Sequence, residues 1–224
     1  MKDIKFGNNK LPNNTLIINM GSATYCPAAE RNLCDLAVSK SCYALRDEGL
    51  YPQPLPYRVR QQDYWLANDA EIIAFEMLEA ISHKRSAVKY VRWNESGDLH
   101  VTECAEKLIK IAKLTPKLVH YLYTHRVDLL DELLWRPKNL VVQVSTSSLE
   151  EAEGYTKQGF NAFFTDTGIS IARKKDTPTQ TAHELGTQML KTKYGPKALI
   201  CKWDCSICSL CKVNGKKVIH ICLH

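Results

Sequence analysis

Short apolar runs rich in β-branched residues alternate along this chain with longer segments whose apolar positions recur at helical spacing. The first run is "TLIIN" (15–19). From about Gln61 to Lys84, residues Trp65, Ile72, Ile73, Phe75, Met77, Leu78 and Ile81 keep the period of one helix. The three prolines of "YPQPLPYR" just before it predict irregular chain. "AVKYVRW" (87–93), "LVHYLYT" (118–124), "LVVQVSTS" (140–147), "NAFFTDT" (161–167) and "KALICK" (197–202) read as further strands, and "KVIHICL" (217–223) as one more. Between them lie predicted helices. "VTECAEKLIKIAKL" (101–114) carries Val101, Ala105, Leu108, Ile109 and Ala112 on one side, with Cys104 beside them as a core thiol. "VDLLDELLW" (127–135), "SLEEAEGYTKQG" (148–159, stopped by Gly159) and "TAHELGTQMLKTKYG" (181–195) follow.

Strand and helix alternate six times, and such a repeat builds parallel βα units in one α/β domain. Crossovers are short and right-handed, so consecutive strands are expected to be neighbours. Two arrangements stay open on pattern alone: a doubly wound sheet, and a complete or partial TIM-like barrel. The first strand has no Gly-rich phosphate loop after it, which disfavours a dinucleotide fold.

Composition narrows the class. At 224 residues, 45% apolar and 24% charged, the chain suits one globular domain, with disorder expected only in "MKDIKFGNNKLP". No apolar run approaches a membrane span and the start lacks a signal pattern, so a cytoplasmic protein with no membrane partner is expected. The net charge of +6 is compatible with a nucleic-acid partner without implying one. It counts thiols as neutral, and its basic residues are scattered, with "ARKKD" (172–176) and "NGKKV" (214–218) reading as solvated loops.

In βα folds chemistry gathers at the carboxyl ends of the strands, and here those ends are polar. The first strand runs into Asn19, and the second ends in "RWNESGD", which offers Arg92, Asn94, Glu95, Ser96 and Asp98. The third ends at Thr124, His125 and Arg126, the fourth at Ser145, the fifth at Asp166.

Nine cysteines, an odd number, do not make a disulfide framework in a reducing compartment, which leaves metal or iron–sulfur binding. Cys205, Cys208 and Cys211 form C-x2-C-x2-C, a spacing that lets three thiolates reach different irons of a cubane. Cys201 is placed to complete the set, with Cys222, His220 and His224 as the other candidates. Tetrahedral zinc is the alternative, although zinc sites more often pair C-x2-C knuckles across a longer loop. Cys26, Cys34 and Cys42 have seven residues between neighbours, which is no zinc spacing. Three thiolates on one loop after the first strand suggest a [4Fe–4S] cluster whose fourth iron is open to a small-molecule substrate or S-adenosylmethionine.

"NMGSATYCP", "CYAL", "LPYRVRQ", "VRWNESGD" and the late C-x2-C-x2-C together resemble a phage-encoded, gene-product-88-like family. The first cysteine group, with "CYA" at its end, is also similar to that of radical S-adenosylmethionine enzymes, though their usual spacing is C-x3-C-x2-C. That resemblance implies a partial TIM-like (β/α)6 barrel with cysteine-rich loops at the C-terminal ends of the strands. It also implies Asn94, Glu95 and Asp98 positioning S-adenosylmethionine, with Ser145 and Asp166 lining the pocket. The expectation carried forward is one or two [4Fe–4S] clusters in a redox or radical enzyme of unstated substrate. A non-enzymatic electron-transfer or redox-sensing protein and a zinc-stapled nucleic-acid-binding module are the alternatives. The phage origin implies work in the host cytoplasm.

Overall fold

In a computed structural model of the chain, residues 4–8, 10–171 and 179–223 are described, the side chains of 179–181 excepted. Eight strands form one sheet in the order β1-β2-β3-β4-β5-β6-β8-β7. They are β1 (Lys5–Phe6), β2 (Thr15–Ile18), β3 (Tyr90–Trp93), β4 (Val119–Thr124), β5 (Leu140–Thr146), β6 (Asn161–Ser170), β7 (Leu199–Ile200) and β8 (Val218–Leu223). Every pairing is parallel except β1 with β2. The two ends of the order do not pair, so the sheet is open.

From β2 to β6 the strands follow sequence order, as short right-handed crossovers require. The last pair departs from it. "KALICK" was expected as the sixth strand, but only Leu199 and Ile200 pair, at the sheet edge, and β8 takes the inner place beside β6. The longer apolar run of β8 has more side chains to bury there, including Ile219 and Cys222. Within the expected disordered start, Lys5 and Phe6 pair with Ile17 and Leu16.

The helices are α1 (Pro27–Glu30), α2 (Asp35–Val38), α3 (Tyr43–Leu50), α4 (Pro54–Ala67), α5 (Ala70–Ser82), α6 (Thr102–Leu114), α7 (Leu149–Lys157) and α8 (Thr179–Tyr194). Three expectations change here. The prolines open α4 instead of forbidding it: Pro54 and Pro56 fall in its first turn, where a missing N–H costs nothing. The single helix expected over 61–84 is two, broken where Asp69 caps α5 by accepting from the Ile72 N–H. The "VDLLDELLW" segment holds only a 3-10 turn, Val127–Leu129. The "ARKKD" segment and His224 lie outside the described residues.

Alternation along the strands sorts residues onto two faces. Leu16, Ile18, Val91, Trp93, Leu122, Val142 and Val144 pack with α4, α5 and α6, whose Trp65, Ile73, Met77, Cys104, Leu108 and Ile111 are buried against them. Cys104 is the expected core thiol, and the Trp65 indole donates to it. Ala162 and Phe164 meet Ala152 of α7, and Cys222 packs with Leu190 of α8. His120 stands in this core as a neutral ring, which burial holds down to about 4. Its Nδ1 accepts from the Trp93 indole and its Nε2 meets the Thr115 hydroxyl. Helices α4 to α8 thus share one face, whereas a doubly wound sheet divides its helices between two. The opposite face presents Ile17, Arg92, Tyr121, Tyr123, Val141, Gln143, Ser145 and Phe163, and the chain after β7 lies across it. No described helix is long and apolar enough to cross a membrane.

Candidate thiol-rich site

The loop after β2 explains the even cysteine spacing. Cys26, Cys34 and Cys42 are the N-cap residues of α1, α2 and α3. After α1, Asn32 turns left-handed at φ 55°, and after α2, Lys40 does so at φ 56°. The Asn32 and Leu33 N–H groups donate back to Ala29 and Ala28, and those of Lys40 and Ser41 to Ala37 and Leu36. This is the Schellman closure, made twice in succession. Each seven-residue gap is therefore one short helix plus its left-handed cap, and the three thiols come to equivalent positions.

Burial pushes the Cys26 thiol up to about 12 and Cys34 up to about 11. The buried Asp98 carboxylate adds to both shifts, and neighbouring backbone amides oppose them. The Cys34 thiol adds to the shift of Cys26, and the Cys42 thiol to that of Cys34.

Buried carboxyl and amide groups fix this loop to the end of β3. Glu48, from α3, accepts from the N–H groups of Ala23 and Thr24, both at 2.8 Å, and from the hydroxyls of Thr24 and Ser96. It also pairs with Arg58 at 2.8 Å, and both side chains are nearly sealed from solvent. Burial alone would raise the Glu48 carboxyl, but these donors hold it below the ordinary carboxylate range. Asn19 accepts from the Glu95 and Ser96 N–H groups while its own amide donates to Gln61. Gly97, at φ +72°, lies so close to Gly21 that a Cβ would come within 2.6 Å of its carbonyl.

These contacts show what "NESGD" does locally. The Asn94 Oδ1 accepts from the Met20 N–H at 2.8 Å, and its Nδ2 is buried without a partner among the described residues. The Glu95 carboxylate takes Asn8, and its backbone carbonyl takes the Tyr43 hydroxyl. Asp98 accepts from Thr124 and from the N–H groups of His125 and Leu99, locking the end of β4; burial pushes it up to about 6 against those bonds. Ser145 and Asp166, expected to line one pocket, are not brought together. Ser145 shares a face with Phe163, whereas Asp166 points to the helix side, paired with Lys193 at 2.7 Å and with Tyr194 at 2.6 Å.

The second thiol group follows β7. Cys201, Cys205, Cys208 and Cys211 act on one another electrostatically, and burial pushes Cys201 up to about 12 and Cys211 up to about 11. Cys205 is also raised by burial, with Lys212 and Arg92 acting against the shift. The segment ends in a 3-10 turn, Leu210–Lys212, seated on β4 and β5, where Gln143 donates to the Cys211 carbonyl at 3.0 Å. Strand alternation sends Cys222 and His220 to the other face. Cys222 is buried beside Gly186 of α8, and His220 packs on Phe164 and Tyr194. Neither joins this group, so Cys201 is the candidate that the fold brings to it.

All nine cysteines are free thiols. Among the described residues, no three His, Cys, Asp or Glu side chains are gathered tightly enough to enclose a metal ion as they stand. The donor set fits a thiolate-bound centre by residue type: three half-buried or buried thiols follow β2 and four half-buried ones follow β7. Sequence reasoning pointed to Asn19 as a polar strand end and missed Glu48, Tyr121 and Tyr123. Glu48 sits in an ordinary amphipathic helix and the tyrosines in an ordinary strand, and no motif marks them.

The family model described as gene product 88 matches residues 2–216, and the chain belongs to that family. No curated protein and no solved structure matches it.

Proposed function

We propose that this protein is an iron–sulfur redox protein. One [4Fe–4S] centre would be held by Cys26, Cys34 and Cys42, and a second by Cys201, Cys205, Cys208 and Cys211. The observation that carries the reading is the twice-repeated helix and cap, which brings three thiols to equivalent places directly after the first parallel strand. Sequential parallel strands with α4 to α8 on one side support a partial (β/α)6 barrel, its inner face being the one that carries Arg92 and Tyr121.

A cluster bound at the first group supplies single electrons and an iron open to a ligand's donor atoms. In the radical S-adenosylmethionine-like form of the proposal, the buried Nδ2 of Asn94 would bind that ligand, together with the Glu95 carboxylate, which would exchange the Asn8 amide for it. Asp98 shapes the site by holding the start of the loop after β4. Ser145 lines the inner face, and Asp166 serves the helix side instead. The phage origin that the resemblance implies puts this work in the host cytoplasm.

A second reading, an electron carrier or redox sensor without a small-molecule substrate, is favoured by one observation. Both Asp98 oxygens and the Asn94 Oδ1 are already engaged between loops, which leaves few polar atoms for a cofactor. Anaerobic purification with iron, sulfide and zinc quantification, and EPR with and without S-adenosylmethionine, separates the readings. About eight irons per chain and a spectrum altered by S-adenosylmethionine are expected for the radical enzyme, on two cubane clusters. Iron and sulfide without that response favour the electron carrier. Stoichiometric zinc without sulfide overturns both and puts a zinc-stapled module forward, with salt-dependent nucleic-acid binding as its test.

A further inference from the structure

The inner face carries charge and hydroxyls that the fold does not use. The Arg92 guanidinium lies 3.8 Å from the Tyr123 ring centroid and 5.5 Å from that of Tyr121. Its hydrogen bond goes to a neutral acceptor, the Asn94 carbonyl, at 3.0 Å. Lys212 is 8% exposed, sits 4.4 Å over the Tyr90 ring and donates to the Cys205 carbonyl at 3.0 Å. Among the described residues neither cation has a carboxylate partner. The Tyr121 hydroxyl is buried without a partner among the described residues, and the Tyr123 hydroxyl faces the Cys211 thiol.

Buried and half-buried cations and hydroxyls are costly unless something answers them. The thiols that act on these residues are Cys201, Cys205 and Cys211, with the Glu95 carboxylate also acting on Tyr121. Whether the centre is Zn2+ or a [4Fe–4S] core of charge about +2, four thiolates leave it near −2. Two cations match that charge, and two phenol hydroxyls are suited to donate to sulfur.

We propose that Arg92 and Lys212 are the counter-cations, and Tyr121 and Tyr123 the hydrogen-bond donors, of a metal–thiolate centre on Cys201, Cys205, Cys208 and Cys211. This rests on the thiolate-centre reading above and assigns its outer sphere. Positive charge and donated hydrogen bonds stabilise the more negative reduced state, so they raise the centre's reduction potential. They also lower the cost of deprotonating thiols that burial keeps protonated.

The test uses the full chain purified anaerobically, as wild type and as Arg92→Met, Arg92→Lys, Lys212→Met, Tyr121→Phe and Tyr123→Phe. Metal and sulfide content, loss of metal to a chelator, and the midpoint potential by EPR-monitored titration are measured, with thermal melting as the control for folding. The Met variants are expected to lose metal affinity by about ten-fold or more. If the metal is iron, their midpoint should become more negative, with the Phe variants shifting less and Arg92→Lys restoring most of the wild-type value. Metal-loaded variants with unchanged retention and potential overturn this inference and leave the metal centre standing. A wild-type protein that binds neither metal nor sulfide overturns both. If Arg92→Met does not fold, Lys212→Met and the Tyr variants still decide the matter, because they leave Arg92 in place.

Discussion

Between Cys26 and Cys42 the backbone satisfies itself. Two short helices are each closed by a left-handed residue, and the buried Glu48 carboxylate ties the loop to its neighbours. Between Cys201 and Cys211 the chain has one 3-10 turn, a left-handed Trp203 stacked on His183, and few backbone bonds. That segment leans on side chains of the sheet: Gln143, Tyr123 and Arg92. The first group is therefore preorganised by local structure. The second has little local structure of its own and rests on the sheet beneath it. Three-thiol and four-thiol sites differ in the same sense, since a centre that keeps a position for a ligand needs a rigid cradle, whereas a closed one can organise its own loop.

The largest expected effect breaks the first region. Glu48→Ala leaves Arg58 buried without its partner and should cost about 3–5 kcal/mol, read by denaturant unfolding. Gly97→Ala adds a Cβ against the Gly21 backbone at positive φ and should cost about 3 kcal/mol. A loss under 1 kcal/mol in either would mean that the loop is not held as described. Acid should separate the two regions. The folded Glu48 carboxyl lies below its ordinary value of 4.5, so its stabilisation is complete above that pH and is lost as pH falls through the lowered value. Hydrogen exchange at decreasing pH should therefore loosen residues 22–48 before residues 201–212.

Thiol substitution sharpens the contrast. Serine at Cys205, Cys208 and Cys211 together should lower Tm by about 5 °C or more, whereas serine at Cys26, Cys34 and Cys42 should lower it by less than about 3 °C, both by calorimetry on anaerobic protein. Equal shifts would remove the distinction between a preorganised and a ligand-organised site. The smallest effect concerns the caps. Lys40→Gly relieves a left-handed non-glycine residue and should stabilise by about 1 kcal/mol without altering metal content.

The strands were legible because runs such as "LVVQVSTS" carry β-branched residues buried on both faces, and this local chemistry survives any tertiary arrangement. The helix starts were less so. Prolines read as breakers because the pattern does not say that they would fall in a first turn. "KALICK" and "KVIHICL" are both apolar, and only competition for the place beside β6 decides which lies inside. The cysteine groups stood out by residue type and spacing, but their supports did not. Glu48 and Tyr121 matter through partners that no local pattern links to them, and Arg92, legible as a polar strand end, did not reveal which thiols it would meet.

What the sequence alone determined is the alternating α/β order, the spacing of the two thiol groups, and a polar edge at the strand ends. Those follow from periodicity and residue chemistry within a few positions of one another. Tertiary structure decided the rest. Alternation along β8 sends Cys222 and His220 to the helix side and leaves Cys201 with the later thiols, and β6 turns Asp166 away from Ser145. A strand's two faces are fixed only when its register against its neighbours is fixed, and register is a property of the whole sheet.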